Sequence, residues 1–190
     1  MTQSTQAAQA LSVTTGDAET VTLLDRIDQF LRFSEGAWRS ERRYYTLPDG
    51  KVQEIVSHLT VQFLEQDSPE LVQLTQLHQL EDTLQLLCGS KVTWSSTNSE
   101  TGKLQSEGST VFGVRGTLLY RDRGFATSKP VVAQYSMADS DTMSLRTEYN
   151  DSVFEEEIKH IGQRYRTRQS IISRAGEQLM IGQYLEKRID

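Results

Sequence analysis

The sequence predicts a mainly β domain of about ten antiparallel strands, arranged as a barrel or a sandwich, with an N-terminal helix and one further short helix. Three observations carry this expectation. Aromatic and β-branched residues alternate with polar ones in many stretches of four to twelve residues. Turn signals built on Gly, Asn, Asp and Pro separate those stretches at short intervals. Helical spacing of apolar residues occurs in only two places, both in the first half.

Taken in order, Met1 to about Thr20 is rich in Thr, Gln and Ala and reads as a flexible lead-in (1–20), leaving 21–190 as a single domain. A helix is expected over Val21 to Phe33, where Val21, Leu24, Ile27, Phe30 and Leu31 form an apolar stripe that Asp17 or Thr20 would cap. Ser34-Glu35-Gly36 ends it. Strand character starts at Ala37, and Leu47-Pro48-Asp49-Gly50 is a turn, because Pro presets φ and Gly accepts a positive one. A second strand follows over about Val52 to Leu64. Asp67-Ser68-Pro69-Glu70 starts a short helix carrying Leu71, Leu74 and His78 on one face, and His78 reads as a packed or half-exposed residue. Eight further strands are expected: Lys91–Ser96, Ser109–Val114, Gly116–Tyr120, Val131–Ser136, Thr142–Tyr149, Val153–Lys159, Arg164–Ser173 and Gln178–Arg188. Arg121-Asp122-Arg123-Gly124 reads as a polar turn. Ten strands and two early helices fit a lipocalin-like barrel with a helical lid or plug.

A chain of 190 residues suffices for one core, and 36 % apolar with 24 % charged residues suits a folded globular protein. The net charge of −6 supplies no basic field, so nucleic acid is not an expected partner. There is no positively charged n-region with an apolar core near the start, and no run approaches the roughly 18 apolar residues of a membrane helix. Cytoplasmic residence without membrane insertion is the resulting expectation. The lone Cys88 excludes an internal disulfide and reads as a packed small side chain. His58, His78 and His160 share no metal-ligand spacing, so no metal site is expected.

The richest chemistry lies late in the chain. In Arg164-Tyr165-Arg166-Thr167-Arg168-Gln169-Ser170 the arginines and Ser170 share one face of a strand. Glu156 shares a face with Ile158, and Glu186 with Arg188. Such a face suits a solvated surface with cross-strand ion pairs. It equally suits a cavity wall, where Arg166 and Arg168 would bind carboxylates and a partly dry Glu156 or Glu186 would have a raised pKa and exchange protons. Trp38 and Trp94 read as core residues, though a flat conjugated ligand would use an aromatic wall.

The ordered set Phe30-Leu31-Arg32-Phe33-Ser34-Glu35-Gly36-Ala37-Trp38-Arg39-Ser40-Glu41-Arg42, Gly108-Ser109-Thr110-Val111-Phe112, Leu119-Tyr120-Arg121-Asp122-Arg123-Gly124-Phe125-Ala126, Thr147-Glu148-Tyr149, Arg166-Thr167-Arg168-Gln169-Ser170 and Glu186-Lys187-Arg188 resembles the S/U-type phycobiliprotein lyases, the CpcS/CpeS family. The resemblance implies a lipocalin-like (calycin) barrel that takes up a bilin, such as phycocyanobilin, as substrate with no permanently bound cofactor. It implies transfer to a cysteine of an apo-phycobiliprotein α- or β-subunit through a thioether, as in a cyanobacterial-type phycobilisome. On this reading Arg166 and Arg168 hold the propionates, Trp94, Ser170 and Arg188 contribute to bilin binding, and Glu156 and Glu186 are catalytic, pairing with pyrrole nitrogens or assisting protonation.

Gln163-Arg164-Tyr165 stands where the family often has Pro-Asn-Leu, and Glu186-Lys187-Arg188 replaces the commoner Glu-Ile-Arg. In both the chain is similar to the U-type members, which serve as partners of an S-type subunit, so a homodimer or a heterodimer with an S-type lyase subunit is expected. The alternatives are a non-catalytic bilin carrier and a carrier of other lipophilic carboxylates on the same fold.

Overall fold

The computed structural model describes residues 14–81 and 84–190, with side chains from residue 23 onward. Helix α1 (Thr14–Ser34) leads into ten strands: β1 (Gly36–Thr46), β2 (Lys51–Glu65), then after helix α2 (Pro69–Leu77) β3 (Cys88–Asn98), β4 (Leu104–Arg115), β5 (Leu118–Arg121), β6 (Val131–Met137), β7 (Thr142–Tyr149), β8 (Ser152–Ile161), β9 (Tyr165–Arg174) and β10 (Glu177–Arg188). Every neighbour in sequence pairs antiparallel, and β1 also pairs with β10, so the sheet closes into a barrel and not a sandwich. Closure leaves no open sheet edge. The expected lead-in lies outside the described residues up to residue 13. From Thr14 the backbone is helical, so α1 starts before Val21, and Asp17 and Thr20 lie inside it instead of capping it.

The turns form where the sequence places them. Gly50 takes φ 66°, and Asp49 Oδ1 accepts the Lys51 N–H at 3.1 Å, closing the β1–β2 hairpin. Asn150 and Asp151 both adopt positive φ between β7 and β8, a conformation that short polar side chains tolerate.

Alternation along the strands gives the barrel apolar packing on both sides of its wall. Ile27, Phe30 and Leu31 of α1 enter one end of the barrel and pack with Phe63, Val114, Leu119, Tyr135, Met143 and Leu145. A second apolar cluster lies outside the barrel wall. There Leu71 and Leu74 of α2, which starts with Ser68 as cap and Pro69 in its first turn, cover Leu64, Leu86 and Tyr120. The helix approaches the sheet closely because Gly89 and Gly113 present no side chain to it: a Cβ on Gly113 would stand 3.0 Å from Leu74, and one on Gly89 2.7 Å from Leu71. His78, the C-cap of α2, bonds through Nε2 to the carbonyl oxygen of Arg121 at 2.9 Å. Half-burial of His78 is as expected.

Candidate functional site

Between the α1 plug and the far half of the barrel lies a cavity of about 620 Å³, within the usual range of small-molecule sites. One part of its wall is apolar: Phe30 and Leu31 of α1, with Leu59, Val61, Val92, Trp94, Phe112, Leu119 and Met143 from the strands. The other part is charged, with Arg42, Arg121, Glu156, Arg166 and Arg168, and the β5–β6 loop from Arg123 to Ser128 borders the cavity.

Strand register explains the charged part. Arg166 on β9 pairs with Glu186 on β10 and with His160 on β8, while Glu186 pairs with Ser40 on β1. Inward-facing members of this row are all buried: His160, Arg166, Glu186, Ser40, Ser57 and Ser96. Arg166 donates through Nε to Glu186 Oε2, Ser40 donates to Glu186 Oε1 at 2.9 Å, and Arg42 Nε donates to Ser40 Oγ at 3.1 Å. In the next rows Arg168 Nη2 donates to Glu156 Oε2 at 2.6 Å, and Ser170 and Tyr184 share a 3.2 Å hydrogen bond. Gly182 leaves the room for that contact, since a Cβ there would collide with Ser170 Oγ. The late-chain charges are therefore inside, and Tyr165, Thr167, Gln169, Glu155, Glu157 and Lys187 form the solvated face. Arg164 falls in the turn before β9 and is exposed, apart from the three residues expected beside it.

Electrostatics corrects one expectation. Burial pushes Glu156 upward, but the Arg168 and Arg121 charges outweigh it and leave the carboxyl below its ordinary range. Glu186 behaves likewise, with Arg166 and Arg168 outweighing burial. Both are anions at neutral pH and not the raised-pKa proton donors expected. Cys88 is 4 % exposed, and burial pushes its thiol up to about 12, so it is not a nucleophile.

Of the residues singled out in the sequence, Trp94, Glu156, Arg166 and Arg168 line the cavity together. Glu186, Ser170 and Arg188 do not. Glu186 lies behind Arg166, and Ser170 is occupied by Tyr184. Arg188 closes the α1 end: its Nη2 donates to the Phe33 carbonyl at 2.5 Å, Nη1 donates to the Glu35 carbonyl, and the guanidinium lies 4.4 Å from the Trp38 ring centroid. Trp38 is fully buried, as expected of a core residue, with the Arg166 guanidinium also 4.4 Å from its ring centroid. Trp94, expected in the core, is half-buried at the cavity wall, lying across Gly108, where a Cβ would come within 2.8 Å of the indole.

Sequence reasoning missed Arg42, Arg121 and Tyr184. The supposed polar turn at Arg121 is the end of β5, with Arg121 pointing inward and 8 % exposed. The signal available was Tyr120: an aromatic held against α2 outside the barrel obliges its neighbour to face in.

The family described as CpeS-like protein matches residues 26–189 of the chain. A Nostoc sp. protein, named provisionally as phycocyanobilin lyase CpcS 2, is 60% identical over 164 residues, covering 86% of this chain and 91% of that protein. The phycocyanobilin lyase subunit CpcS of Picosynechococcus sp. is 31% identical over 156 residues, covering 78% of each. Among solved structures, the S-type phycobiliprotein lyase CPES from Guillardia theta superposes with a TM-score of 0.71 at 21% identity, over 94% of this chain and 99% of that one, which is a likeness of fold. Barrel, plug and ordered motifs thus agree with the match along nearly the whole length: the chain belongs to the CpeS-like family.

Proposed function

We propose that the chain is a chromophore lyase that takes up a linear tetrapyrrole, phycocyanobilin or a related bilin, and delivers it to a cysteine of a phycobiliprotein subunit. The observation that carries this is the half-apolar, half-charged cavity of about 620 Å³, inside a member of a family whose relatives are named for this activity. An extended conjugated ligand with apolar rings and acid side chains matches both parts of that wall.

The chemistry is addition of the acceptor thiol across the ring A ethylidene of the bilin. A C–S bond forms at one carbon, the other carbon gains the proton, and no electrons enter or leave. The nucleophile belongs to the acceptor subunit, which agrees with a chain whose single cysteine is buried and protonated. The chain's own contribution is to hold the bilin in one extended pose with ring A toward solvent. Glu156, kept anionic by Arg168 and Arg121, accepts hydrogen bonds from pyrrole N–H groups and favours a protonated pigment. Glu186 acts indirectly, fixing Arg166 against Trp38.

The test is incubation of the purified chain with phycocyanobilin and apo-phycobiliprotein subunits, with and without an S-type lyase subunit. An acid-stable coloured adduct is expected, and one formed only with the S-type subunit would make the chain half of a heterodimer. Uptake of bilin with no adduct in either arm would reduce it to a carrier. Absence of any visible-band change, with fatty acid bound instead, would overturn the tetrapyrrole reading.

A further inference from the structure

The two arginines expected to grip the ligand are already occupied. Arg166 is bound by Glu186 and Arg168 by Glu156. Five arginines line the cavity: Arg123 is exposed in the β5–β6 loop beside the Asp122 carboxylate, and of the other four, Arg42, Arg121, Arg166 and Arg168, these two carboxylates bind only two. Arg42 is half-buried and has Ser40 as a neutral partner. Arg121 has less. Among the described residues its side chain makes no hydrogen bond and no ion pair, its Nε is buried without a partner, and the Phe112 ring lies beside it, 4.8 Å from guanidinium carbon to centroid.

Burial outweighs the attraction of the nearby Glu156 and Asp122 charges and pulls the Arg121 guanidinium below its ordinary range, so this cation is costly unless a ligand completes it. Its backbone, by contrast, is held firmly. His78 of α2 bonds the Arg121 carbonyl oxygen at 2.9 Å. The adjacent Asp122 carboxylate accepts from Thr110 Oγ1 at 2.6 Å and from the Val111 N–H at 3.1 Å, which ties the strand end to β4. The side chain is therefore placed in advance and left unsatisfied, as a specific anion site requires.

We propose that Arg121 is the carboxylate anchor of the cavity, binding one acid side chain of the ligand through a charge-assisted pair, while Arg166 and Arg168 are held by Glu186 and Glu156. This rests on the reading of the cavity as a bilin site. The two guanidiniums left without a carboxylate also match a ligand that carries two acid groups.

The experiment titrates the intact chain with phycocyanobilin and with its dimethyl ester, following the visible band, for the wild type, Arg121→Met and Arg121→Lys. A hydrogen-bonded pair with a charged group predicts that the wild type prefers the diacid by about 10- to 100-fold. Arg121→Met loses most of that preference, its affinity for the diacid falling much further than its affinity for the ester, and Arg121→Lys retains only part of it because it keeps the charge but lacks the planar fork. A second readout separates anchoring from architecture. Removing a buried charge whose desolvation outweighs the attraction of Glu156 raises the thermal midpoint of the ligand-free chain in Arg121→Met, whereas loss of a structural cation–π contact would lower it. A wild-type preference for the diacid that survives unchanged in Arg121→Met overturns the anchor and leaves the bilin reading standing. A wild type that takes up neither diacid nor ester overturns both.

Discussion

Glu186 is 1 % exposed, and burial alone would push its carboxyl well up, yet the adjoining Arg166 and Arg168 charges keep it ionised and below the ordinary range. Both of its oxygens are used, one by Arg166 and one by Ser40. Glu186→Gln keeps the shape but strands the Arg166 guanidinium without a counter-charge, so a loss of about 3–5 kcal/mol in unfolding free energy is expected. Urea titration measures it. A Glu186→Met/Arg166→Met double variant should recover most of the loss, and a Glu186→Gln midpoint equal to wild type would mean the pair is inert. This pair also marks what local sequence can reveal. Period-2 spacing in Arg164 to Ser170 shows which side chains share a face, because successive Cβ atoms point to opposite sides. It does not show whether that face is wet or enclosed. The decisive fact is register, Arg166 opposite Glu186 across twenty residues of chain, and no short-range pattern encodes it. Arg121 was hidden for a related reason, since a four-residue strand is too short for its alternation to stand out from a turn rich in Arg, Asp and Gly.

At the scale of elements, the number and order of the strands were legible because alternation and turn chemistry point the same way, although β3 and β4 start at Cys88 and Leu104, ahead of the expected Lys91 and Ser109. The start of α1 was not, because residues 14–20 are almost wholly polar and carry no apolar stripe, although the backbone is helical there. The closeness of α2 to the barrel was equally invisible, since it depends on two glycines in separate strands coming side by side. Gly89 and Gly113 are direct partners in the β3–β4 ladder. A Cβ on Gly89 would run into the Phe112 carbonyl oxygen, a backbone atom that cannot turn aside. Gly89→Ala is therefore expected to cost about 1–3 kcal/mol, the usual range for overpacking. Gly113→Ala meets only the methyl ends of Leu86, Leu74 and Leu71 and should cost less. Denaturant midpoints for the two variants give the order, and an equal loss in both would remove the backbone clash as the cause. The same helix carries His78, so a displaced α2 should also weaken ligand binding through Arg121.

For the whole molecule, the barrel is a cup closed at one end by α1, and the closure is joined at His160. Its ring is 4 % exposed and contacts Phe30 and Phe33 of α1 at centroid distances of 4.5 and 4.8 Å. Ser34 Oγ donates to the Phe30 carbonyl at 2.9 Å, so its contact with His160 Nε2 at 3.0 Å requires the proton on that nitrogen, and Nδ1 is left bare and buried. A second proton would enter a dry site that faces the Arg166 and Arg188 cations from β9 and β10, with the Glu186 anion opposing them. Burial first, then Arg166, pulls the imidazole down from 6.5 to about 4. The native state thus refuses a proton that the unfolded chain accepts, and the unfolded state gains on acidification. Stability is full above pH 6.5, declines as pH falls toward 4 by up to roughly 3 kcal/mol, and owes nothing further to His160 below that. Glu156 and Glu186, lowered from 4.5, lose their contribution mainly below this window. Urea midpoints of the wild type should therefore drop between pH 7 and 5, whereas His160→Phe, which keeps the aromatic packing and cannot be protonated, should stay nearly flat over the same interval. Parallel profiles for the two proteins would show that some other group titrates, and that the plug is not held shut by a neutral imidazole.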